Sequence, residues 1–138
     1  MTDEDMERIG RGLMECTLPK AEWTHSAHFA AALWMLARPE GAALPDLRAA
    51  ICAYNEAIGG ENTDTAGYHE TITAASLIMA RAHRAAHPAA PLHAQLASLL
   101  AGPCGRPDWI LSYWTKARLF SPEARRGWVG PDLQPLPE

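Results

Sequence analysis

The chain carries 26 alanines against a single valine, Val129. Alanine is the strongest helix former and valine one of the best strand formers, so so lopsided a ratio nearly excludes a large β-sheet and predicts an all-α domain. A chain of 138 residues is one domain's worth and buries roughly two-thirds of its unfolded surface, so a core forms without staples. Residues 1–138 therefore read as a single helical domain. The formal charge of −4 argues against a nucleic-acid partner, which requires a basic patch.

Hydrophobic spacing places five helices before Gly102, of which four are the main helices of a bundle. Met6, Ile9, Leu13 and Cys16 make one stripe on a helix from about Asp3 to Cys16, weakened by Gly10 and Gly12. Pro19 is a suitable first residue for a second helix, ending near Arg38 before Pro39. Leu47, Ile51, Tyr54 and Ile58 form the seam of a third, from Pro45 to Ile58, stopped by Gly59-Gly60. Asp64 or Thr65 caps a fourth, from Ala66 to His87, whose charge-free run Thr71–Ala80 predicts burial. A fifth covers Leu92–Leu100. The expected architecture is an up-down four-helix bundle over about residues 3–101. Short C-terminal helices are added to it, because six of the eleven prolines lie beyond Gly102, together with Trp109, Tyr113, Trp114, Phe120 and Trp128. That segment, 103–138, reads as a wrap on the bundle, with Ser121-Pro122-Glu123 starting one of its helices.

Cys16, Cys52 and Cys104 form no CxxC pair, so they read as core thiols in a reducing cytoplasm. The acidic start Met1–Glu7 lacks the pattern of a signal peptide, and no run reaches the ~18 apolar residues of a membrane span.

The segment Glu22-Trp23-Thr24-His25-Ser26-Ala27-His28-Phe29 carries the functional signal. At ~100° per residue, Glu22 and His25 fall on the line of Phe29, Leu33 and Leu36, with His28 at its edge. An acid and an imidazole thus stand where apolar side chains would continue the seam, and unpaired burial there costs several kcal/mol. The fourth helix opens Gly67-Tyr68-His69-Glu70, and up-down packing brings His25 and His69 to one end. Tyr54 and Asn55 arrive there from the third helix, and Asn62 from the loop. The expected site has Glu22, His25 and His69 as ligands of a divalent transition metal (Zn, Fe or Mn). Glu70 acts as general acid or base, its pKa raised by burial, with His28 beside it; Tyr54, Asn55, Tyr68 and Asn62 hold substrate. Plainer readings stay open: His25 satisfied by Glu22 or a backbone carbonyl, His28 on the surface, His69 serving only the helix start.

Other candidates are weaker. His83 and His87, with His93, have a metal-compatible spacing but also suit the C-terminal end of a helix dipole. Tyr113–Arg118 and Arg125-Arg126 offer cations for a carboxylate or phosphate. Cys52 beside a histidine would be a nucleophile, though packing accounts for it more simply.

The motifs EWTHxxH at Glu22–His28 and NTxxxGYHETIT at Asn62–Thr73 resemble a group of short uncharacterised bacterial all-helical proteins. A looser architectural likeness is to the DinB/YfiT-like metal-binding bundles, which place three histidines from separate helices at a bundle mouth. That likeness implies architecture only, because His83 and His87 fall at the opposite end from His25 and His69. Together these readings predict a small cytoplasmic enzyme, with hydrolase, lyase and oxygenase as the candidate classes. Its His/carboxylate pocket would be metal-dependent and would take a small polar molecule. The alternatives are metal-free acid/base chemistry in the same pocket and a non-catalytic binding module, for instance a homodimer.

Overall fold

The computed structural model describes residues 1–137, and every regular element among them is helical, as the alanine content predicts. The long helices are α1 (Asp3–Met14), α2 (His25–Ala37), α3 (Ala43–Ala57), α4 (Glu70–Ala86) and α5 (Leu92–Ala101). Two single-turn helices follow, α6 (Lys116–Leu119) and α7 (Pro122–Arg126), and 3-10 turns span Lys20–Glu22, Pro103–Gly105 and Trp109–Ser112. No described helix is long and apolar enough to cross a membrane.

Helix α2 packs against α1, α3, α4 and α5. Its buried residues, Ala27, Phe29, Ala30, Ala31, Ala32, Leu33 and Met35, cover nearly every side. A helix without a polar face must be surrounded, and its alanines let the neighbours come close. Met6, Ile9 and Leu13 of α1, Leu47 and Ile51 of α3, Leu77 of α4 and Leu96 of α5 complete this core.

Helix α1 is better built than its two glycines suggest. Thr2 and Asp5 form a reciprocal capping box at its start. A Cβ at Gly10 would lie 2.3 Å from the Trp34 ring of α2, so Gly10 is where the two helices touch. The helix ends two residues before Cys16, which takes the left-handed conformation at φ 60°. Cys16 donates its N–H to Leu13 and Thr17 donates to Gly12, closing the last turn as a Schellman motif with cysteine in the place of glycine.

The second and fourth helices begin later than their apolar spacing implies. Residues 20–22 form a separate 3-10 turn, and Trp23 leaves helical geometry. Thr24 is the true cap of α2, its hydroxyl accepting from Ala27 N–H. In the loop before α4, Gly67 sits at φ +81°, where a Cβ would lie 2.1 Å from the Glu61 carbonyl oxygen. That turn delays the helix to Glu70, and His69 caps it instead of Asp64 or Thr65.

The C-terminal residues lie on the helices as a wrap. Trp114 is fully buried and donates its indole N–H to the Val129 carbonyl at 3.0 Å. The Thr71 hydroxyl, buried at the start of α4, donates to Gly127 O and accepts from Val129 N. Ser121 caps α7 through Ala124 N–H, in the predicted role.

Candidate functional site

Two of the expected imidazoles share a cleft. It encloses about 510 Å³ between the first turn of α2, the first two turns of α4 and the wrap. Its apolar walls are Phe29, Ile72, Trp109, Ile110, Leu111 and Phe120; its polar groups are His25, His28, Ser76 and Asp108.

The histidine tautomers follow from their partners. His25 Nε2 lies 2.7 Å from the Cys104 carbonyl oxygen. A carbonyl only accepts, so Nε2 carries the proton and Nδ1 keeps its lone pair. His28 Nδ1 lies 2.7 Å from the Thr24 carbonyl oxygen, so its Nδ1 is protonated and its Nε2 is the free base. Neither lone pair has a partner among the described residues, and no buried side-chain nitrogen or oxygen is left without one, so His25 Nδ1 is reached by solvent rather than set in dry core. Trp23 stacks on the His28 ring at 3.8 Å, and Phe29 meets His25 edge-on. Burial lowers the pKa of His28 below the usual imidazole value; the Thr24 bond opposes this and the nearby His25 reinforces it. Although the residue as a whole is exposed, the indole desolvates the ring from one side.

His69 is near this cleft but not in it. Its Nε2–H donates to Leu119 O at 2.7 Å, and its Nδ1 accepts from Ile72 N–H at 3.1 Å. Both nitrogens are therefore used, and no lone pair remains for a metal. Glu22, expected beside His25, instead accepts from Arg8 at 2.5 Å on the surface. The break at Trp23 and Thr24 is the reason: extrapolating one helical wheel back to Glu22 crosses two non-helical residues. Among the described residues, no group of three or more His, Cys, Asp or Glu is arranged to hold a metal ion. The Glu22/His25/His69 set therefore does not fit one.

Glu70 faces a second, polar cleft with Asn62 and Tyr68. Arg48 grips both carboxylate oxygens, at 2.9 and 2.6 Å, and the Tyr68 hydroxyl donates to Oε1 at 2.5 Å. The expected upward pKa shift is reversed. Arg48 holds the Glu70 carboxyl below its ordinary value against the effect of burial, and Tyr68 assists. Burial and the carboxylate together push the Tyr68 phenol well up. A carboxylate so stabilised is a poor base; this is an ion pair that fixes α3 to α4.

The remaining expected contacts are architectural. Tyr54 is fully buried and donates to Leu18 O at 2.8 Å. Asn55 donates to Asn62, whose own side chain donates to Cys52 O and accepts from Tyr68 N, shaping the loop before α4. The possible trio of His83, His87 and His93 is divided. His83 stacks on His87 and bonds Ser98, whereas His93 pairs with Asp3 at the start of α1. The cleft residues missed in the sequence are Ser76 and Asp108. No spacing marks either, because Asp108 is brought in by the wrap.

The shifts of His28 and His69 predict acid sensitivity. Burial depresses both, so the folded state binds fewer protons than the unfolded chain, whose histidines titrate near 6.5. Their stabilising effect is complete above that pH and is lost as pH falls through the depressed folded-state values. The buried His69 contributes at most about 1.4 kcal/mol per pH unit, and the exposed His28 less, because solvent screens it. Urea midpoints should therefore drop between pH 7.5 and 5, before the carboxylates titrate; a flat or rising midpoint contradicts this assignment.

Compared with known proteins, the chain matches no family model, no curated protein and no solved structure.

Proposed function

We propose that this protein is a small enzyme that performs metal-free proton transfer on a small molecule held in the cleft of His25 and His28. The observation that carries this reading is that two imidazoles lining one largely apolar cavity each keep a lone pair, His25 Nδ1 and His28 Nε2, without a partner among the described residues. Each imidazole is fixed in one tautomer by a backbone carbonyl, which is how a general base is oriented. His28 supplies the base, since its depressed pKa keeps it neutral at pH 7. His25 accepts a hydrogen bond from the substrate and positions it. The apolar walls suit a substrate with an apolar body, less polar than the protein's sequence suggests.

The same reading includes an up-down order of the main helices, which would bring the first turns of α2 and α4 to the same end. Residues from both line the cleft. A cytoplasmic setting fits the three free thiols.

The test is a panel of aryl and alkyl esters, amides and carbonyl compounds, each with and without a primary amino group, with the wild type compared with His28→Gln and His25→Gln. Turnover should survive chelators, fall at least about a hundredfold in His28→Gln, and show an acid limb below pH 6.5. Turnover unchanged in both variants, or abolished by chelation and restored by a divalent metal, removes the reading. A non-catalytic dimer would use Phe120 and Trp128, exposed by 54% and 46%, and light scattering of the native chain would reveal it.

A further inference from the structure

The hydrogen-bonding character of the cleft is weighted toward acceptors. His25 Nδ1 and His28 Nε2 offer lone pairs only, because each ring's proton is already donated to a carbonyl. Ser76 donates its hydroxyl hydrogen to Ile72 O, which leaves its oxygen as an acceptor. Asp108 is a carboxylate. The side chains of His25, His28, Ser76 and Asp108 therefore accept, the Trp109 indole N–H is the one unengaged side-chain donor among the lining residues, and no lysine or arginine is among them. Arg106 pairs with Asp108 at 3.4 Å, but that contact is highly exposed and weakly held. An anionic group entering this cleft would lose water, gain only the Trp109 indole N–H as a side-chain donor and face the Asp108 carboxylate; a cationic group with several N–H bonds would meet up to four acceptors and aromatic walls.

We infer that the ligand of this cleft is a primary amine, bound as its ammonium ion, with a compact apolar or aromatic body. The ammonium group offers three hydrogens to the acceptors His25 Nδ1, His28 Nε2 and the Asp108 carboxylate, and the body lies against Phe29, Trp109 and Phe120. This inference rests on the proton-transfer reading of the same cleft and adds the class of molecule that it takes.

Three probes of equal shape test it: benzylammonium, benzyl alcohol and benzoate, each titrated at pH 7.5 into the full chain with 15N-labelled histidine. Benzylammonium should move the His25 and His28 ring-nitrogen resonances, leave that of His69 in place, and bind more tightly than the other two. Asp108→Asn, at an exposed position, should weaken it about three- to fivefold, the size of one exposed charge pair. If benzoate or benzyl alcohol binds at these resonances as tightly as benzylammonium, the amine class is overturned while the catalytic cleft stands. If no probe moves them at millimolar concentration, both the amine class and the cleft as a binding site are overturned.

Discussion

His69→Ala should destabilise the protein by about 3 kcal/mol and loosen its C-terminal wrap. The ring is 6% exposed and bridges two backbone groups: it caps α4 through Ile72 N–H and holds the Leu119 carbonyl. Loss of a helix cap costs about 1 kcal/mol, and a buried acceptor left without a donor costs a further 1–3 kcal/mol. Urea unfolding reads the first effect; limited proteolysis, with new cuts between residues 103 and 137, reads the second. His69→Asn retains an oxygen that can accept from Ile72 N–H and should recover roughly 1 kcal/mol. Unchanged stability and proteolysis in His69→Ala, with catalysis lost, would return this imidazole to the chemical role that its sequence context suggests.

Trp114→Ala should cost still more, about 4 kcal/mol. Trp114 is among the largest fully buried side chains, and Trp128 meets it edge-on at 5.6 Å. Truncation removes that packing and leaves a cavity beneath residues 128–129. Trp114→Phe keeps most of the apolar contact but leaves Val129 O without its indole donor, so about 1–2 kcal/mol is expected for it. Equal losses for both variants would assign the role of Trp114 to the hydrogen bond; a loss under 1 kcal/mol for alanine would show that the wrap contributes little to the fold.

Both residues explain why the site was only partly legible. The anomaly on α2 was visible: an imidazole does stand at the start of a helix otherwise apolar on nearly all sides. What offsets its desolvation was not visible, because the partner is the Cys104 carbonyl, 79 residues away in sequence. His69 has the same explanation with Leu119 O, 50 residues away. Unpaired carbonyls in an irregular segment carry no sequence signature, yet they determine which nitrogen of each ring remains free. Glu70 shows the converse. Its burial was foreseeable and its pKa direction was not, because the sign depends on Arg48, which reaches it from α3 with a two-pronged grip.

Taken alone, the sequence determined the helical class, the approximate helix positions and the aromatic C-terminal wrap. Those features follow from local propensity and from periodicity, which act over a few residues. Only the tertiary structure decided that Glu22 lies outside the helix of His25, that His69 is an anchor with no free lone pair, and that His25, His28 and Asp108 share a cavity. Each of those depends on where a distant carbonyl, guanidinium or carboxylate comes to rest. Packing sets that position, and helical periodicity carries no information about it.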